Sequence, residues 1–156
     1  MTGIAERENT PASTLCGGEQ FVDCSGLLWG SLLKWGLESV MIDQEQSNGK
    51  TIIECLEKYI ADCCSGIVLL TPDDIGYLKG DESNKRNRPR QNVVLEFGML
   101  MMKYGRSKIV LIEKIDDEIE LPSDIAGMRS LRYSNRLDEI AYNLSKELKN
   151  NGYVIL

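Results

Sequence analysis

Apolar positions along the chain fall into short continuous runs separated by longer stretches of helical period. Gly66–Thr71 (GIVLLT) and Lys108–Glu113 (KIVLIE) are β-branched and leucine runs without a polar face, which predicts strands buried on both sides. Glu38–Asp43 (ESVMID) predicts a short strand, and Ser130–Tyr133 a last one. Thr51–Cys64 sets Ile52, Ile53, Leu56, Ile60, Cys63 and Cys64 at helical spacing, behind a Thr51…Glu54 capping box. Gln91–Tyr104 predicts a second helix. Leu137–Lys149 predicts a closing one, with Leu137, Ile140, Ala141, Leu144 and Leu148 on one stripe. Near the front, Gly26–Trp35 reads as a buried helix that Gly36 stops. Only Ser13–Cys16 (STLC), poor in β-formers, remains for a strand before it.

Apolar strands alternating with helices predict an α/β fold, an open, doubly wound parallel sheet of about five strands with helices on both faces. Ligands of such sheets bind beyond the carboxyl ends of the strands. The connection Pro72–Arg90 is far longer than the roughly 2–6 residues a strand-to-helix turn needs, as functional or disordered loops are. The 156 residues suffice for one domain with a core. We expect a flexible segment over 1–12 and a single domain over 13–156.

Charge and composition narrow the chemistry. The formal charge is −6 and the pI about 4.8, without the basic footprint of a general nucleic-acid or anionic-membrane binder. No stretch approaches the ~18 apolar residues of a membrane span. Glu6, Arg7 and Glu8 near the start do not resemble a secretory leader, so a cytoplasmic location is expected. Histidine is absent, which removes imidazole acids and bases, the Ser-His-Asp triad and the HExxH zinc site. The five cysteines (Cys16, Cys24, Cys55, Cys63 and Cys64) show no CxxC spacing and read as small buried hydrophobes; no metal site is expected.

Three constellations carry candidate chemistry. Gly49-Lys50-Thr51 between a strand and a helix is half of a phosphate-binding loop, but Gln44 stands where the pattern needs its first glycine; a turn with a Thr51 cap explains it better. Glu96 lies beside the apolar face formed by Val93, Val94, Phe97, Leu100, Met101 and Tyr104, near Asn92, Met99 and Lys103. It is the only acid of its helix and reads either as a tuned catalytic carboxylate or as a boundary residue partnering Lys103. The long loop runs from Asp73-Asp74 and Asp81-Glu82 to Lys85, Arg86, Arg88 and Arg90. Its basic end, leading into the Glu96 helix, suits recognition of a pyrophosphate or similar anion, or is a solvated, salt-bridged surface. Asp116-Asp117-Glu118…Glu120 before Pro122 reads as a solvated turn.

SNGKTIIECLEKY (Ser47–Tyr59), IVLLTPDDIG (Ile67–Gly76), RPRQNVVLEFG (Arg88–Gly98) and ELPSDIAG (Glu120–Gly127), in this order and spacing, resemble the bacterial TIR-like domains once labelled predicted nucleotide-binding proteins. These serve as effectors in cyclic-nucleotide-triggered antiphage systems, TIR–STING fusions among them. The resemblance spans about Gly36 to Gly152 and implies a flavodoxin-like TIR fold that cleaves NAD+ between nicotinamide and ribose. It matches the essential glutamate to Glu96, with Asn92 one turn before it facing the same cleft. It makes Gln44–Lys50, including Ser47, Asn48, Gly49 and Lys50, a loop that gates the pocket and contacts neighbouring subunits. Thr71–Asp74 would floor the pocket, so Thr71, Asp74, Arg90 and Asn92 are expected to bind substrate. The family opens with an apolar strand and a short His-Gly loop; here Thr14–Gln20 (TLCGGEQ) has neither, although Gly17-Gly18 would admit close backbone approach, Gly17 at the substrate.

The resemblance also implies that NAD+ is substrate rather than cofactor, that no metal is required, and that self-association activates the enzyme. A cyclic-nucleotide sensor domain or partner would supply the signal. Two rival readings remain: a TIR scaffold that only oligomerises or docks, and an enzyme like the nucleoside deoxyribosyltransferases.

Overall fold

The computed structural model describes residues 12–15, 28, 30–37, 39–41, 52–115, 118–125 and 127–155. Strands β1 (Ala12–Leu15) and β2 (Ser39–Met41) flank helix α1, which is described at 28 and 30–34. Helix α2 (Ile52–Asp62) leads to β3 (Gly66–Leu70), and two short strands follow, β4 (Asp74–Gly76) and β5 (Arg86–Arg88). Helix α3 (Gln91–Tyr104), β6 (Ile109–Lys114), β7 (Ser130–Tyr133) and α4 (Ala141–Asn150) complete the order.

The main sheet runs β2-β1-β3-β6-β7, and every neighbouring pair in it is parallel. The sequence-based expectation of an open parallel sheet of about five strands, helices on both faces, therefore holds. β3 is buried at every position, and its side chains divide by parity. Ile67 and Leu69 join Val110, Ile112, Leu131 and Tyr133 beneath Leu32 of α1 and Leu144 and Leu148 of α4. Val68 and Leu70 join Leu111 on the other face, beneath Ile60 of α2 and Val93, Phe97 and Leu100 of α3. Each fully buried Leu or Phe in these layers contributes about 1.5–3 kcal/mol of transfer free energy. α3 can lie this close to β3 because Gly66 has no side chain: a Cβ there would stand 2.7 Å from Leu100 Cδ1.

Several boundaries differ from the sequence reading. β1 begins at Ala12, one residue before the expected start. The closing helix opens as a 3-10 turn over Leu137–Ile140 before α4 begins. There the Glu139 carboxylate accepts the backbone N–H groups of Ser134, Asn135 and Arg136, at 2.8, 3.0 and 2.9 Å. These bonds hold its pKa below the ordinary carboxylate value. Gly36 does end the α1 region, at φ 72°.

The connection Pro72–Arg90 is neither disordered nor structureless. β4 and β5 pair antiparallel within it, Asp74 opposite Arg88 and Gly76 opposite Arg86. The acidic run before Pro122 is more than a solvated turn: Ile119 bridges Asn87, Glu120 N–H donates to the Asn87 carbonyl, and Glu120 Oε2 accepts from Arg88 Nε at 2.6 Å. The hairpin thus gains a third backbone partner, which supplies what three-residue strands lack on their own. Asp116 and Asp117 lie outside the described residues.

Beyond α4 the chain turns back, and Tyr153 reaches the turn between α2 and β3. Its phenol hydrogen-bonds Cys64 Sγ at 2.9 Å and Ser65 Oγ at 2.7 Å, and burial pushes its pKa up. Cys63 is buried as expected and Cys64 half-buried; Cys16 and Cys24, like the side chain of Cys55, lie outside the described residues. Among the described residues, no helix is long and apolar enough to cross a membrane.

Candidate active site at the switch point of the sheet

β1 pairs with β2 on one side and β3 on the other, so the chain reverses its direction of winding between β1 and β3. In open α/β sheets this is where the carboxyl ends of two strands leave a crevice. The described wall of that crevice is the chain after β3. Thr71 follows the strand directly and donates its hydroxyl to Asp73 Oδ2 at 2.6 Å. The same oxygen lies 3.7 Å from Arg90 Nε. Arg90 is the last residue before α3, and its carbonyl accepts the Val94 N–H at 3.2 Å, which starts the helix. Thr71, Asp73 and Arg90 therefore form one row from the end of β3 to the first turn of α3. That turn has no side-chain cap and no acid, so its N–H groups and the adjacent guanidinium together favour an anion.

Glu96 sits on the second turn of α3, half-buried, between core residues Val93 and Phe97 and the exposed Asn92. Packing of Val93, Phe97 and Leu100 against the sheet fixes the helix and, through it, the carboxylate. Asn92 stands four residues earlier, on the same side of the helix. Asp74 faces the hairpin instead. It lines a cavity of about 610 Å³ with Arg88, Gln91, Val94, Glu120 and Ser123, and neither Glu96 nor Asn92 lines it. Gly17 and the loop residues Ser47, Asn48, Gly49 and Lys50 lie outside the described residues, as does Thr51.

The sequence reading expected Thr71, Arg90 and Asn92 to bind substrate but had the residue that joins two of them only as part of the loop's acidic start and of the Thr71–Asp74 floor. Asp73 is that residue. Its signal was the Thr-x-Asp spacing at the end of a buried strand, where a hydroxyl and a carboxylate two residues apart hydrogen-bond locally. Of the loop's basic end, Arg88 and Arg90 are engaged by acids, whereas Lys85 and Arg86 make no ion pair among the described residues.

The parallel order of the sheet, with helices on both faces, is that of a flavodoxin-like α/β fold. The TIR domain of the Toll-related receptor TRR-2 from Hydra magnipapillata superposes with a TM-score of 0.60 at 13% identity, over 89% of this chain and 95% of that one. The Clostridium botulinum CMP N-glycosidase BcmB superposes with a TM-score of 0.55 at 15% identity, over 86% and 98%. Residues 28–135 match the family described as CAP12/Pycsar effector protein, TIR domain, and the chain belongs to that family. Protein tirC of Dictyostelium discoideum is 36% identical over 116 residues, 70% of this chain and 58% of that protein. The Pycsar effector protein PaPycTIR of Pseudomonas aeruginosa is 33% identical over 81 residues, 52% of this chain and 25% of that protein. The chain thus spans little more than half of the first of these relatives and a quarter of the second.

Proposed function

We propose that this TIR domain is an effector of antiphage defence that hydrolyses the N-glycosidic bond between nicotinamide and ribose in NAD+. The observation that carries this reading is Glu96, the sole acid of α3, half-buried on the second turn of the helix that Arg90 opens. Nicotinamide leaves a cationic precursor as a neutral base, so no general acid is needed, and a chain without histidine is no worse for it. As the bond to C1′ breaks, its electron pair leaves with the ring nitrogen and the ribose gains oxocarbenium character. A fixed carboxylate stabilises that charge where it develops. Water then adds at C1′ and loses a proton, giving ADP-ribose; capture by an adenine nitrogen instead gives a cyclised product. Arg90 and the open first turn of α3 suit the pyrophosphate, with Thr71 and Asp73 holding the guanidinium in place.

Self-association is the expected trigger, with Gln44–Lys50 as a contact loop, and a cyclic-nucleotide sensor as the source of the signal. The family match to Pycsar effectors supports that context.

The test is nicotinamide release from NAD+ at high protein concentration, comparing wild type with Glu96→Ala. We expect release that rises steeply with concentration and falls at least about a hundredfold in the variant. Assembly without release would leave a TIR scaffold. The likeness to a CMP N-glycosidase favours one other enzymatic reading, a nucleotide or deoxynucleoside N-glycosidase. Free base from CMP or deoxynucleosides, with NAD+ intact, would establish it.

A further inference from the structure

The long connection after β3 folds around a cavity that Glu96 does not reach. Its walls are the β4–β5 hairpin, the opening of α3 and the chain from Glu120 to Ser123, and its volume is about 610 Å³. Small-molecule sites span roughly 300–1,000 Å³. Ile75, Pro89, Val94, Leu121 and Pro122 give it apolar surface, and Gln91 and Ser123 add uncharged polar groups.

The charges around this cavity do not balance. Asp74 and Arg88 stand opposite each other on paired strands, where opposite charges usually meet. Arg88 instead turns its Nε to Glu120 Oε2 at 2.6 Å. Gly76 permits this, because any side chain at that position would collide with the Arg88 guanidinium. Arg88 and Glu120 thus cancel, and Asp74 forms no ion pair among the described residues. One uncompensated carboxylate therefore shares its space with five apolar residues.

We propose that this cavity binds a monovalent organic cation, a protonated amine carried on a compact apolar body. The amine pairs with Asp74, and the body covers Val94 and Leu121 and removes their apolar surface from water. A phosphate or carboxylate ligand meets two acids and one arginine already engaged, so the charge balance turns it away. A polyamine brings more charge than the single free carboxylate can match. Asp74 and Gln91 are chain neighbours of Asp73 and Arg90, so the cavity adjoins the Thr71–Asp73–Arg90 row without sharing a residue with it. The amine site goes beyond the proposed NAD+ cleavage and stands whether or not the chain is an enzyme.

Backbone-amide NMR of the full chain tests it, in titrations with phenethylamine, 2-phenylethanol, 3-phenylpropionate and phenylalanine. These probes share a phenyl ring on a short chain and differ in charge. We expect saturable shifts at Ile75, Val94, Leu121 and Ser123 with phenethylamine, at a Kd of about 1 mM. The alcohol should bind at least about threefold more weakly, as an exposed charge pair allows, and the acid more weakly still. Asp74→Asn should erase the preference for amine over alcohol and leave the alcohol binding as before. Asp74 is exposed, so an unchanged thermal midpoint certifies the fold of the variant. Shifts elsewhere on the molecule, or none, overturn the proposal, as does an amine preference that survives Asp74→Asn. Alcohol or acid binding as tightly as the amine overturns it too, and tighter binding of phenylalanine would make the ligand a zwitterion instead. Glu96→Ala separates the two ideas, since it should abolish NAD+ cleavage and leave amine binding intact.

Discussion

Two neighbouring strands of the sheet, β3 and β6, both run into an acid with an arginine beside it, yet the two ends are built for different purposes. After β3, Asp73 shares one oxygen between Thr71 at 2.6 Å and a half-exposed Arg90 at 3.7 Å. At the end of β6, Glu113 is buried, its side chain 8% exposed. One of its oxygens accepts from Ser130 Oγ at 2.5 Å and Arg132 Nε at 2.6 Å. The second arrangement is held by the sheet, because its donors come from the adjacent strand in fixed register, although Arg132 itself is exposed. The first is joined only through a turn and a helix start, so its arginine can be redirected by an anion at small cost. Like composition therefore marks a candidate site at one strand end and a structural tie at the other. What separates them is how much of each pair the backbone already determines.

Substitution should expose that asymmetry. Glu113→Ala should lower stability the most, by about 2 kcal/mol, since Ser130 and Arg132 lose a buried shared acceptor. Urea denaturation measures this, and cleavage per folded molecule should be unchanged; an unchanged midpoint would erase the distinction between the two ends. At the amino end of the central strand β3, Tyr153→Phe removes the bonds to Cys64 and Ser65 and should cost about 1 kcal/mol. Because burial raises the Tyr153 pKa in the folded chain, its contribution is complete below the ordinary value of 10.0 and is lost as pH rises above it. The gap between wild type and Tyr153→Phe should accordingly narrow in denaturation series carried above pH 10. Smallest in stability is Arg90→Ala, within about 0.5 kcal/mol because the ion pair is long and half-exposed. Its signature should instead be a KM for NAD+ raised about tenfold with kcat little changed. A stability loss with no change in KM would place Arg90 on the structural side of the comparison.

The sequence was most readable where a single element decides its own fate. GIVLL and IVLIE could only be doubly buried strands, and Gln91–Tyr104 is a helix over the very residues its period marks. It was least readable where distant residues cooperate. DIG and RNR carry no strand propensity of their own, and their pairing rests on Ile119 and Glu120, about thirty residues from β5 in the chain. Glu113 looks like an ordinary polar strand end until Ser130 and Arg132 are seen beside it. In the candidate site, Glu96 was legible as the lone acid on a helix edge. Asp73 was not, because its role is defined by Arg90, seventeen residues on.

The four residues of β1 also impose an order in time. They form an inner strand, with Thr14 lying between Met41 and Ile67. Among the described residues β2 meets the rest of the sheet only through them. A chain emerging from the ribosome can join β1 to β2 early, but the other side of β1 must wait until β3 has been made. Until then the first hairpin-sized unit carries an unsatisfied edge, and joining it to β3 closes a loop of about fifty residues, a slow and entropically costly step. Weakening Ala12–Leu15 should therefore slow folding more than it lowers equilibrium stability, so that the least strand-like segment of the chain governs how fast the domain assembles.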